Sequence, residues 1–240
     1  MCLTCGCGEA DVRVEGEHLV LEERLLAKND HLADHVRASL AERGVVAVNL
    51  MSSPGAGKTS LLERTVAVLG TDREVCVVEG DQETSFDADR IRAAGARAVQ
   101  VNTGAGCHLD ASMVHRALHD LDPPSGALVL VENVGNLVCP ALFDLGEAAK
   151  VVLISVTEGD DKPLKYPTMF AAADLVVVNK TDLLPYVDFD VDRLVTGART
   201  LNPAVEVLST SVRSGDGLEA WYAWLGALDG RARAAAEATP

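Results

Sequence analysis

Apolar residues along this chain follow two alternating rhythms. Short β-branched runs fall at 45–51, 75–79, 96–101, 127–132, 150–156, 174–179 and 204–208. Each is about the length of a strand and is bounded by Gly, Pro, Asn or Asp, the signature of a strand buried on both faces. Between them, apolar residues recur every three or four positions. That spacing predicts helices over 19–43, in the segment SLLERTVAVL, and over 84–94, 111–121, 167–172, 190–200 and 216–228. Leu19, Leu25, Leu26, Leu32, Val36 and Leu40 form the first stripe, which Gly44 ends, and Asp110 reads as the N-cap of helix 111–121. Strand–helix alternation predicts an α/β fold with a mostly parallel central sheet flanked by helices.

The first strand runs into SSPGAGKT, residues 52–59, and a helix follows. Strand, small-residue loop, Gly-Lys-Thr and helix make the context of a phosphate-binding loop. Gly55, Ala56 and Gly57 let successive backbone N–H groups face one anion, and the helix start at Lys58, Thr59 and Ser60 adds its positive dipole end. Lys58 is placed for the β- and γ-phosphates and the Thr59 hydroxyl for Mg²⁺. Ser52 stands where the loop pattern has its first glycine.

Later strand ends carry matching groups. Asp81 follows the second strand and is a candidate Mg²⁺ ligand, direct or outer-sphere, with a turn or N-cap aspartate as the alternative. Glu132 ends the strand ALVLVE; with Gly135 it stands where an Asp-x-x-Gly pattern would hold Mg²⁺ and sense a γ-phosphate. Asn179-Lys180-Thr181-Asp182 is N-K-x-D, in which the carboxylate of Asp182 accepts both N–H donors of guanine. This points to GTP, with Ser209 and Thr210 as the small loop against the base. No glutamine or arginine placed to speed hydrolysis is identifiable, so slow turnover is expected; Lys162, Lys165 or a partner are candidates for the missing charge.

Cysteine and histidine supply a second chemistry. Cys2, Cys5 and Cys7 make C-x-x-C-G-C, three thiols able to face one soft cation; a redox C-x-x-C is the alternative. Cys107-His108 sits in a Gly-rich loop and Cys139 follows Gly135, while Cys76 lies inside an apolar run and reads as a core thiol. Thiolates and imidazole suit Ni²⁺ and Zn²⁺ rather than Mg²⁺. His31 and His35 are four apart, as are His115 and His119. With no further ligands beside them in the sequence, His31 and His35 read as solvated or partly buried and His115 and His119 as surface histidines, with metal binding as the alternative for each pair.

Composition narrows the partners. The 240 residues are 48% hydrophobic, enough for one good core, and the formal net charge is −15. That charge disfavours nucleic acid and anionic membranes. No apolar run reaches the roughly 18 residues of a membrane span, and the N-terminus has no signal-peptide pattern, so a cytoplasmic location with reduced thiols is expected. The expected organisation is a flexible Cys-rich metal-binding arm over 1–16, a nucleotide-binding domain over 17–228 and a flexible tail over 229–240.

The motifs VEGDQET, GAGCHLDA, VENVGNLVCP and NKTDLLP, with the cysteine arm, closely resemble the HypB family, nickel-insertion P-loop GTPases of the SIMIBI class that act in [NiFe]-hydrogenase maturation. The resemblance implies a nickel or zinc site at Cys107, His108 and Cys139 and a separate nickel site at Cys2, Cys5 and Cys7. It also implies a GTP-dependent homodimer, hydrogenase maturation partner proteins and a hydrogenase large-subunit precursor as client. The alternatives are a nickel buffer or sensor with nucleotide-controlled dimerisation, and a nickel GTPase serving urease or another metalloenzyme.

Overall fold

The computed structural model describes residues 15–81, 86–104 and 106–237. Seven strands form one all-parallel sheet: β1 (Val46–Ser52), β2 (Val75–Asp81), β3 (Arg97–Asn102), β4 (Leu128–Glu132), β5 (Ala149–Ser155), β6 (Leu175–Asn179) and β7 (Glu206–Ser209). Their order is β3-β2-β4-β1-β5-β6-β7. The chain leaves β1 toward one edge, returns to insert β4 beside β1, then builds outward on the other side. The crevice at such a switch point, beyond the carboxyl ends of the strands, is where α/β sheets hold ligands.

The period-2 pleat explains the apolar runs. Val46, Val48 and Leu50 face one layer, while Val45 and Ala47 face the other. Leu128 and Leu130 against Val129 and Val131 divide the same way. One layer holds α2 (Lys58–Leu69), α3 (Phe86–Ala93) and α8 (Leu218–Glu237); Trp221 of α8 is fully buried and its Nε1 donates to Thr65 Oγ1 at 2.9 Å. The opposite layer holds α1 (Glu15–Glu42) and α4 (Ala111–Leu121), and further along the sheet α6 (Pro167–Ala171) and α7 (Val191–Leu201).

The expected alternation is present throughout. Helix α8 continues to Glu237, beyond the boundary expected at 228, and a short α5 (Lys162–Lys165), for which the sequence pattern predicts no helix, forms with Pro163 in its first turn. Cys76 is buried in the core as expected, and burial pushes its thiol up to about 11. Among the described residues no helix is long and apolar enough to cross a membrane.

Helix α1 packs through Val36 and Leu40 against Val114, Ala117 and Leu121. Polar contacts fix its position. The Arg37 guanidinium meets Asp144 at 2.6 Å, and buried Asn29 donates to Asp144 O at 2.8 Å. Gly146 lies beneath the helix at φ 83°, and a Cβ there would stand 2.6 Å from Ala33 O and 2.8 Å from Val36. Gly146→Ala therefore combines a strained left-handed residue with a clash against backbone. It should cost about 2–4 kcal/mol, measured as a lower urea midpoint.

Candidate nucleotide and metal site

Strand β1 ends at Ser52 and α2 begins at Lys58, so the loop between must turn sharply. Gly55 (φ 78°) and Gly57 (φ 106°) supply left-handed backbone. A Cβ on Gly57 would lie 2.6 Å from Asn179 Nδ2, so only glycine lets the two loops approach. Lys58 Nζ donates to Ser52 Oγ at 2.8 Å, and that hydroxyl donates to Ser53 O at 2.6 Å. Ser52 thus holds the lysine through a hydroxyl that the glycine of the usual pattern lacks. Burial lowers the Lys58 pKa, with Glu132 the main opposing charge.

A cleft of about 530 Å³ opens above this loop, walled by Lys58, Thr59, Glu79, Asp81, Glu132 and Gly135 among others. Thr59 Oγ1 donates to Glu132 Oε1 at 2.9 Å. Glu79 and Glu132 are register partners on adjacent strands. Each is buried, and Oε2 of each has no hydrogen-bond partner among the described residues. Burial, then the Glu132 carboxyl beside it, pushes Glu79 up to about 8; burial pushes Glu132 up to about 7 against Lys58 and the Thr59 hydrogen bond. Two orphaned carboxylate oxygens beside a threonine hydroxyl fit a divalent cation.

Glu79 was hidden as the last letter of an apolar run. An acidic residue inside a doubly buried strand was the available signal. Arg90 on α3 also lines the cleft, held by Glu63 (2.8 Å) and Asp87 (3.0 Å). No motif in the sequence singles it out. Lys162 instead pairs with Glu158 at 3.5 Å and Lys165 with Asp161 at 2.7 Å; neither lines the cleft.

A second cleft of about 510 Å³ shares Gly57, Ser60 and Lys180 with the first and reaches Asp182, Val212 and Arg213. Asn179 Nδ2 donates to Ala56 O at 2.9 Å, and its Oδ1 accepts from Val212 N at 3.2 Å. Lys180 adopts φ 61° and its Nζ donates to Gly55 O at 2.7 Å. Asp182 accepts from Ser211 Oγ at 2.7 Å. The loop facing Asp182 is therefore Ser211-Val212-Arg213. Ser209 and Thr210, expected there, do not line the cleft: Ser209 ends β7, and buried Thr210 backs onto Asn179 Oδ1 at 3.4 Å. The offset is two residues, because β7 runs to Ser209 before the chain turns.

Cys107, His108 and Cys139 come together as expected, with ligand atoms within 4.8 Å of one another. Cys107 Sγ donates to Cys139 Sγ at 3.1 Å and lies 3.7 Å from His108 Nδ1. The His108 ring stacks on Phe143 at 4.0 Å, and burial lowers its pKa against the pull of Asp110. A neutral imidazole with two sulfurs is a donor set for a borderline or soft cation. The first cleft and this trio are linked: Asn133 Oδ1 accepts from Leu109 N (3.1 Å) and Val134 N (3.0 Å), and its Nδ2 donates to Asn49 on β1 (3.2 Å). Gly135 lies so close to Pro54 that a Cβ would stand 3.1 Å from its backbone. Cys2, Cys5 and Cys7 lie outside the described residues.

Comparison with known proteins agrees with this geometry. The CobW/HypB/UreG nucleotide-binding domain model matches residues 46–209. The hydrogenase maturation factor HypB of Azotobacter vinelandii is 47% identical, covering 94% of this chain and 91% of that protein. That of Rhizobium leguminosarum bv. viciae is 55% identical, covering 91% and 74%. The crystal structure of HypB from Archaeoglobus fulgidus aligns with a TM-score of 0.79 at 42% identity, covering 84% of this chain and 99% of that one. HypB from Helicobacter pylori in complex with nickel aligns at 0.80 and 40% identity, covering 85% and 96%. With a matched domain that contains both clefts' principal residues and relatives this similar over nearly its whole length, the chain belongs to the HypB family.

Proposed function

We propose that this chain is a GTP-hydrolysing nickel metallochaperone that delivers Ni²⁺ during [NiFe]-hydrogenase maturation. One observation carries the reading: the loop from Glu132 to Cys139 begins in the phosphate cleft and ends in the cysteine–histidine trio. The solved nickel complex of the Helicobacter pylori relative and the relatives' role as hydrogenase maturation factors support it.

The backbone of 55–60 receives the phosphates, and Lys58 leaves Ser52 to meet them. Asp182 accepts from guanine while Lys180 and Asn179 hold its loop against the phosphate loop. Mg²⁺, held by Thr59, Asp81 and Glu132, would neutralise charge on the β- and γ-phosphates. Gly135 presents its N–H toward the γ-phosphate position and moves with it, and Cys139 follows four residues on. Nucleotide state then alters the spacing of the metal ligands. Arg90 is tied to two carboxylates, which agrees with slow turnover.

Three ligands per chain leave a four-coordinate ion one short. A water or a partner protomer completes it, consistent with a GTP-dependent homodimer carrying nickel, or zinc, near the interface. Residues 1–16 form a second nickel-binding segment through Cys2, Cys5 and Cys7. Hydrogenase maturation proteins and the large-subunit precursor are the partners, and the cytoplasm, where thiols stay reduced, is the location.

Asp182→Asn should lower the preference for GTP over ATP by about 10- to 100-fold in competition binding, because a charged acceptor pair is lost. An unchanged preference would sink the guanine assignment. Cys107→Ala with Cys139→Ala should remove one nickel equivalent per chain in equilibrium dialysis and uncouple nickel release from GTP. Unaltered stoichiometry would remove the trio as the cargo site. The carboxyls give a pH dependence. Glu79 and Glu132 bind a proton more tightly folded than unfolded, so their stabilisation is full below about 4.5 and is lost as pH rises through about 7 and 8. The nucleotide-free protein should melt at lower temperature at pH 8.5 than the rest of its charge dictates, and Glu79→Gln should flatten that profile in calorimetry.

A further inference from the structure

Two histidine pairs lie on helices that the fold packs together. His31 and His35 are one turn apart on α1, and His115 and His119 are one turn apart on α4. The helices run in the same direction: Asn29 Oδ1 accepts from Ala111 N at the start of α4, and Arg43 reaches Asp122 at its end. This alignment sets His35 beside His115, with ring centroids 5.8 Å apart and planes tilted by 48°. All four side chains are exposed, so none is engaged in the core.

We propose that His35 and His115 form a transition-metal site joining α1 to α4. An imidazole ligand holds its ring centre about 3.2 Å from the metal, so two rings on one ion stand about 4.5–5.2 Å apart. A small side-chain rotation closes the observed 5.8 Å to that range. Parallel packing puts His31 and His119 about 6 Å from this pair on opposite sides, so water completes the coordination of an ion held by His35 and His115. A set of imidazoles without thiolate selects borderline dications such as Ni²⁺ and Zn²⁺ over Mg²⁺. The net charge of −15 raises the local concentration of any such cation. The site is independent of the nucleotide cleft and of the cysteines.

The test is imidazole ¹⁵N NMR on the full chain, titrated with Zn²⁺ beyond the equivalents taken by thiols. The expected result is that His35 and His115 shift together, at one metal concentration, while Mg²⁺ shifts neither. His35→Ala should raise the half-saturating Zn²⁺ for His115 at least about tenfold. His115→Ala should do the same to His35. Both substitutions are on exposed positions, and unchanged circular dichroism checks the fold. Separate titration of the two rings, or an unaltered His115 response in the His35→Ala chain, overturns the proposal.

Discussion

A single buried amide holds the working parts of this molecule in register. Asn133 donates to Asn49 on the neighbouring strand and accepts from the backbone N–H groups of Leu109 and Val134. Asn49 in turn donates to Glu147 at 3.2 Å, and Glu147 accepts from Leu145 N at 2.7 Å. In the interior, each such group loses more by standing unpaired than it gains by being paired. The chain of amides therefore behaves as a unit. Through it, β1 of the phosphate loop, the residue after Glu132, and the residue after His108 keep fixed relative positions. A shift at the phosphate end of that loop reaches the metal trio either through Asn133 or by breaking its bonds.

The cleft's own groups are arranged to limit charge. Lys58 is buried and satisfied by a neutral hydroxyl rather than by a carboxylate. Glu79 and Glu132 are driven toward their protonated forms by desolvation, and one oxygen of each has no hydrogen-bond partner among the described residues. In the proposed function, nucleotide and cation together would reverse this balance, since phosphates would replace Ser52 as the partner of Lys58 and a dication would favour the ionised carboxylates. Neither ligand alone would do both, which gives a physical reason for the cleft to favour them as a complex.

The sequence carried the sheet and the phosphate loop plainly, because both are local: β-branched runs, glycines before Gly-Lys-Thr, and N-K-x-D after a strand. The cysteine–histidine trio was also legible, although its closure depends on β2, β3 and β4 lying side by side. Glu79 was not, since its importance comes from standing opposite Glu132 across a strand pair, which no local pattern encodes. The loop at Ser211-Val212-Arg213 was misplaced by two residues for want of a strong boundary signal at the end of β7. The histidine pairs illustrate the same limit. Each i,i+4 spacing can be read in one helix, but that His35 meets His115 is a fact of packing.

Helix α1 does more than cover a sheet face. Its Asn29 accepts from Ala111 N at 2.9 Å and donates to Asp144 O. Ala111 opens α4, three residues after His108, where an unpaired helix N–H would otherwise be buried. Leu109 N is taken by Asn133 from one side and Ala111 N by Asn29 from the other. Thr103 closes the loop's earlier end by donating to Gly106 O at 2.9 Å. The two asparagines hold the segment carrying His108 against both the loop from Glu132 to Cys139 and α1. Loosening α1 would therefore be felt at Cys107 and His108 before it was felt at the loop from Ser52 to Lys58, whose own hydrogen bonds run to Asn179 and Lys180 on the opposite half of the sheet.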